Sequence, residues 1–381
     1  MSLGHPTPRS SLCRVRSNRK QCTDNQSNNA RRAHMNRLLI DRRRLLTGAA
    51  AGVAALAMPS ITRAQAAGTV VVGTWGGDYA QLLNQNVEQP FLISQGWRVI
   101  QDQAGDPERR AKMIAERRLP RGSTDIQGLN GPNMYQVYEL GLTQEIDYSR
   151  IPNAQNLQPG FRFDYCVPHI YSAMVVNYNP DAVDAPDSYA KAFDPSHGNR
   201  LGFIDIQYQY TISAAALAAG GAITDIEPGK ELLLEARRAG ARIYPTNEAF
   251  AQGLSAGEID VGIMWKARTV QWQESGIKVA SVVPSEGAIP YVSGFSIPQN
   301  AQHLDGAYAY LNAMLDPAAQ RAFAEDMGYN PVVTNADVPA ELSARIGFTE
   351  QEVSLFKNID YGFLLDHDNE MKTWWDRVFK A

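Results

Sequence analysis

Thr69-Val70-Val71-Val72-Gly73-Thr74-Trp75-Gly76-Gly77-Asp78-Tyr79 is the stretch on which the fold turns. A continuous β-branched run closing on glycine suits a strand buried on both faces of a parallel sheet, where polar and apolar positions need not alternate. The run opens into a glycine-rich loop with two aromatic residues, and Ala80 to Gln89 then follows a helical pattern. Trp97-Arg98-Val99-Ile100 reads as a second strand, Glu108 to Arg118 as a helix, and Asp125-Ile126-Gln127-Gly128-Leu129 as a third strand. Strands alternating with helices predict an α/β fold with a parallel sheet.

The pattern changes at Val167 to Tyr178, a long extended run interrupted by Pro168. Alternation then restarts with a strand at Leu201 to Asp205, helices at Thr211 to Ala219 and Glu231 to Ala239, and a buried strand at Ile259 to Trp265. Ala280 to Pro284 precedes a second extended run, Ala288 to Pro298. Leu304 to Leu315 and Pro317 to Met327 read as amphipathic helices, and Glu350 to Lys380 as a mostly helical tail. Two α/β blocks joined by two extended runs predict a bilobed molecule whose chain crosses twice between the lobes. Residues 67–174 and 296–345 would form the first lobe, 175–295 the second, and 346–381 a C-terminal tail. A ligand would sit between them, at the C-terminal ends of the strands.

Composition agrees with a globular chain: 381 residues, 44% apolar and 20% charged. The net charge of -4 hides an asymmetry, because residues 1–66 carry 12 Lys/Arg against 2 Asp/Glu, leaving 24 basic and 38 acidic residues in the rest. A body that acidic lacks the basic face that nucleic-acid binding needs. Of Cys13, Cys22 and Cys166, only the last lies in the body, too few thiols for a disulfide framework or a cysteine zinc site.

The N-terminus reads as an export signal. Arg42-Arg43-Arg44 precedes an apolar stretch from Leu45 to Met58, and Ala64-Gln65-Ala66 supplies a small-x-small cleavage pattern. The stretch is shorter than the ~20 residues a membrane span requires. Paired arginines before a weakly apolar segment fit a twin-arginine signal. Translation is expected to begin at Met35 and cleavage to fall near Ala66, releasing residues 67–381 to the periplasm or cell exterior.

No constellation argues for catalysis. P-loop, GxGxxG and HExxH patterns are absent, and His169, His197, His303 and His367 are scattered. Gly294-Phe295-Ser296-Ile297-Pro298 lacks the closing glycine of a nucleophile elbow. Asp366-His367-Asp368-Asn369-Glu370 reads as a solvated turn. Aromatic residues, by contrast, fall repeatedly at strand ends and beside glycines: Trp75, Tyr79, Trp265, Tyr291 and Tyr329. Rings at the mouths of loops can sandwich apolar stems or face a cation.

With these residues in view, the chain resembles a periplasmic solute-binding protein of an ABC importer, of the spermidine/putrescine-binding type. Gly128-Leu129-Asn130, Val167-Pro168-His169, Asn177-Tyr178-Asn179, Val261 to Trp265, Glu286 to Ala301 and Met327-Gly328-Tyr329-Asn330-Pro331 carry the resemblance, in order and spacing, over most of 69–335. It implies a type II periplasmic-binding-protein fold, a monomer without cofactor or metal, and permease subunits as partners. It also implies a ligand slot lined by Trp75, Tyr79, Asn130, Trp265, Tyr291 and Tyr329. Polyamine binders of this type place an Asp two residues beyond the ring at Tyr291, where this chain has Ser293. They place carboxylates where this chain has Gln207 and Tyr210, with Asp205 just before. A buried ammonium needs anionic partners, so these departures weaken a diamine reading. Lys266 and Arg268 open the alternative of a ligand with one cationic and one anionic end, such as an ω-amino acid. A ferric-ion binder of the same fold, using Tyr208 and Tyr210, and an exported α/β hydrolase are the competing expectations.

Overall fold

The computed structural model describes residues 67–381; the export signal, its cleavage site and the start at Met35 fall outside the described residues. Ten strands follow in chain order: β1 (Gly68–Thr74), β2 (Trp97–Gln103), β3 (Ile126–Asn130), β4 (Val167–Tyr178), β5 (Gly202–Ile204), β6 (Arg242–Tyr244), β7 (Val261–Trp265), β8 (Ala280–Val282), β9 (Ile289–Ser296) and β10 (Asn330–Pro331). Eight of them form one sheet, in the order β10-β4-β9-β3-β1-β2, with β7 and β8 also pairing with β4. The architecture is α/β with two lobes.

The parallel sheet expected from alternation is present where βαβ units build it, in β1 with β2, β1 with β3, and β5 with β6. Elsewhere the pairing is antiparallel, because β4 and β9 are the extended runs that carry the chain across and back. They pair antiparallel from Val167–Phe295 to Met174–Ile289. One end of β4 also pairs with β10 at Ile170 and Tyr171, while the other pairs with β7 and β8 from Met174 to Tyr178. Pro168 is accommodated by a register shift between Pro168 and Ile170, as a proline that cannot donate to the ladder requires. Gly294 lies where the two crossing strands leave no room for a side chain: a β-carbon there would sit 2.3 Å from the Val167 carbonyl oxygen.

Two apolar cores flank this crossing. One gathers Val70, Leu83, Phe295, Leu311 and Phe323, and the other Tyr189, Phe203, Leu233, Phe250 and Trp265. The helix Tyr361–Trp374 and the turn after it dock onto the second core through Leu364, Met371, Trp375 and Phe379, with the Phe379 ring edge-on to Phe203 at 5.3 Å. Asp366 to Glu370 therefore lies within a helix and not in a turn; Asp368 accepts from Gln209 at 2.7 Å and Glu370 pairs with Lys230 at 2.8 Å.

The helices Gly131–Glu139, Asn247–Ser255 and Lys266–Glu274 are additional to those predicted. The first two carry caps readable in the sequence: Asn130 accepts from the Asn133 amide at 3.0 Å ahead of Gly131-Pro132, and Thr246 accepts from the Ala249 amide at 3.1 Å. No helix among the described residues is long and apolar enough to cross a membrane.

Candidate functional site

The C-terminal end of β1 delivers Trp75 and Tyr79, whose rings meet edge to face at 5.0 Å. Beneath Trp75 lies Arg109, 1% exposed, with its guanidinium 4.6 Å from the indole centroid. Asp106 at 2.6 Å and the Gly128 carbonyl at 2.5 Å hold it in place. The Tyr79 hydroxyl and Nδ1 of His169 are 2.8 Å apart. Burial pushes the His169 pKa down to about 3, so the ring is neutral at physiological pH and anchors the phenol without adding charge.

From the other side, β7 ends at Trp265, 3% exposed, with Tyr210 edge-on at 4.6 Å and Tyr291 against its face at 4.6 Å. Tyr291 in turn lies 6.0 Å from Tyr329. The latter ring is aimed by Gly328, which ends the helix Pro317–Met327 in the left-handed conformation at φ 69°. Two residues beyond Tyr291, and so on the same face of β9, Ser293 is 1% exposed. Its hydroxyl stands beside the Tyr79 and Tyr291 phenols without a hydrogen bond of ordinary geometry to the protein. Burial raises the Tyr79, Tyr291 and Tyr329 phenols above the usual tyrosine range, so all three stay protonated.

These groups line a cleft of about 900 Å³. Of the residues expected there, Trp75, Tyr79, Tyr291, Ser293 and Tyr329 face it together. Trp265 does not line it and instead backs Tyr291. Tyr210 backs Trp265, its hydroxyl buried without a partner. Asn130 and Asp205 line a separate cavity of about 450 Å³ beside the C-terminal helix, where Asp205 accepts from the Trp375 indole at 2.7 Å and from Lys380 at 2.8 Å. Gln207 donates to Asn247 at 3.3 Å and lines neither cavity.

Sequence reasoning did not find the carboxylates around the first cleft. Asp78 and Glu248 are exposed at its lining, Asp326 accepts from Asn86 at 2.9 Å, and Glu274 pairs with Arg345 at 2.9 Å. Their signal was the loop-to-helix position itself: Asp78 and Glu248 each sit in the first turn of a helix. Of the two basic candidates, Arg268 lines the cleft, while Lys266 turns away to the Gly347 carbonyl and the Phe348 ring.

The competing chemistries find little support. No group of three or more His, Cys, Asp or Glu side chains able to hold a metal occurs among the described residues. Tyr208 and Tyr210, the ferric candidates, part company: the first binds Asp368 and the second packs on Trp265. Ser296 is fully buried in β9 and not at a turn, which removes the nucleophile elbow.

Residues 88–350 match the sequence profile of the bacterial extracellular solute-binding proteins. The spermidine/putrescine-binding periplasmic protein of Salmonella typhimurium is 29% identical over 219 residues, covering 52% of this chain and 61% of that protein. The chain thus matches about three-fifths of the length of such relatives. An ABC transporter structure from Clostridium perfringens superposes with a TM-score of 0.71 at 22% identity, covering 81% of this chain and 99% of that one. A GABA receptor superposes equally well, with a TM-score of 0.71 at 23% identity, covering 82% and 98%. The chain belongs to the bacterial extracellular solute-binding protein family.

Proposed function

We propose that the chain is the non-catalytic, solute-capturing component of an ABC importer, which takes up a small amine-bearing organic solute in the periplasm and presents it to permease subunits in the inner membrane. The observation that carries this reading is the cleft itself. Trp75, Tyr79, Tyr291 and Tyr329 form an aromatic enclosure, and Asp78, Glu248 and Asp326 ring it with carboxylates. Aromatic faces and nearby carboxylates together favour an ammonium whose stem is apolar. Spermidine, putrescine and GABA, the ligands in the names of similar proteins, share a primary amine on an unbranched apolar stem.

In this reading residues 67–174 and 296–345 make the first lobe and 175–295 the second, with the tail riding on the second. Closure bends β4 and β9 near Val176 and Val292, and ligand contacts from both sides stabilise the closed form. Trp75, Tyr79, Tyr291, Ser293 and Tyr329 contact the solute directly, and Trp265 holds Tyr291 in place. Asn130, Asp205, Gln207 and Tyr210 serve the structure around the cleft.

A thermal-shift screen of the full chain against polyamines, ω-amino acids, betaines, organic acids and sugars tests the proposal. A ligand at 100-fold its Kd stabilises by roughly 2.7 kcal/mol, which raises the Tm by several degrees at this size. A response confined to sugars or non-amine acids would overturn the amine assignment.

A further inference from the structure

We infer that Arg268 makes the cleft select amines that also carry a carboxylate, an ω-amino acid above all, over diamines of the same length. The inference rests on the solute-binding reading above and names its substrate class.

Arg268 lies in the first turn of the helix Lys266–Glu274, which begins directly after Trp265 at the end of β7. One guanidinium nitrogen donates to Gln271 Oε1 at 2.9 Å, and the group lies beside the Tyr329 hydroxyl. Its Nε is buried without a partner, and no carboxylate among the described residues neutralises it. The guanidinium faces a ligand-sized cavity. The guanidinium fork is shaped for a carboxylate, and the first turn of a nine-residue helix adds a positive field.

A second observation points the same way. The buried Ser293 hydroxyl, with no ordinary hydrogen bond of its own, faces the same cleft. It is flanked by phenols that burial keeps protonated. The Tyr79 hydroxyl, 2.8 Å from Nδ1 of a neutral His169, brings no charge to the wall. The tyrosine wall links the two features, since Tyr291 beside Ser293 lies 6.0 Å from Tyr329 beside Arg268. The wall thus presents hydroxyls and one fixed cation, while the carboxylates of Asp78, Glu248, Glu274 and Asp326 stand at exposed positions on the lining. A diamine satisfies the rim but brings its second ammonium against Arg268; an amino acid satisfies both ends.

Titration calorimetry of the full chain with 4-aminobutanoate, 1,4-diaminobutane and butylamine tests this, using the native protein, Arg268→Gln and Arg268→Lys. The native protein should bind 4-aminobutanoate more tightly than the diamine. Arg268→Gln should weaken 4-aminobutanoate by about 10- to 100-fold, the loss of one charge-assisted pair, and leave butylamine unchanged and the diamine unchanged or tighter. Arg268→Lys, which keeps the charge without the fork, should fall between. Unchanged butylamine binding shows that the variant is folded. Tighter binding of the diamine by the native protein, or equal weakening of all three ligands in Arg268→Gln, would overturn the inference and leave amine capture standing. Silence toward 4-aminobutanoate in a native protein that binds another amine would likewise overturn the inference and leave amine capture standing.

Discussion

Replacing Arg109 with methionine should destabilise the protein by about 3–5 kcal/mol, the cost of stranding one member of a buried ion pair. The guanidinium is 1% exposed and the Asp106 side chain 12%. Methionine fills most of the arginine stem, so little cavity forms and the loss is chiefly electrostatic. Asp106 keeps its hydrogen bond from Asn133 at 2.8 Å but loses its cation, and the Gly128 carbonyl loses its donor. The sign of the pH dependence follows. Burial already raises the Asp106 carboxyl above the usual carboxylate range, with Arg109 opposing the rise; removing Arg109 raises it further. Below the unfolded value of about 3.9 both states are protonated and the charge part of the penalty vanishes, leaving only the carbonyl bonds that Arg109 supplied. The charge deficit relative to the native protein opens above the native protein's own raised Asp106 value and grows by up to about 1.4 kcal/mol per pH unit until the variant's carboxyl ionises. At ~2.1 cal/mol/K per residue over roughly 315 residues, 1 kcal/mol shifts the Tm by about 1.5 °C, so a deficit of about 5–8 °C is expected at pH 7. Calorimetry should show most of that deficit gone near pH 4, and Asp106→Asn in the same background should restore part of it at pH 7. A deficit under about 1 °C, or one equal at both pH values, would refute the reasoning.

Three further outcomes follow from the same geometry. Gly294→Ala drives a methyl into the Val167 carbonyl at 2.3 Å and the Pro168 α-carbon at 2.7 Å, so it should lose at least the 1–3 kcal/mol typical of overpacking; urea unfolding reads this, and native stability would contradict the close crossing. Trp375→Ala should cost about 3–5 kcal/mol, whereas Lys380→Ala, removing a partly exposed pair with Asp205, should cost under about 1 kcal/mol; equal losses in urea melts would mean that the tail is held by charge instead of packing. Because His169 titrates near 3 when folded and near 6.5 when unfolded, only the unfolded chain takes up its proton between those values. Stability should therefore fall as the pH drops from about 6.5 toward 3, and His169→Asn should flatten that slope in paired melts at pH 4 and 7. An unchanged slope would place the titration elsewhere.

Strand periodicity exposed the fold because the decisive segments are long and apolar. β4 occupies the full extended run from Val167 to Tyr178, and β9 lies within the run from Ala288 to Pro298. What periodicity does not carry is direction: nothing in Val167 to Tyr178 says that it pairs antiparallel with β9, which follows only when the two lobes are joined. The aromatic wall was legible because Trp75, Tyr79 and Tyr329 sit at strand or helix ends and Tyr291 lies in the second extended run. Trp265 shares that position yet lies behind the wall, packed against Tyr210 and Tyr291 at 4.6 Å each. Asp205 misled for another reason: its partners, Trp375 and Lys380, lie 170 or more residues away, a separation that local patterns do not bridge. Arg268 and Lys266 were indistinguishable in sequence, and only the path of the helix after β7 separates the one that faces the cleft from the one that faces Gly347.

The account stands or falls on whether the cleft holds a small amine. Titration calorimetry of the full chain with the amine that gives the largest thermal shift, repeated with Tyr291→Ala, tests it most directly. The account predicts saturable one-to-one binding by the native protein, weakened by about 2- to 30-fold when the ring is removed, in keeping with the roughly 0.5–2 kcal/mol scale of a ring or cation–π contact. Absence of binding by any amine, or affinity unchanged in Tyr291→Ala, would contradict it.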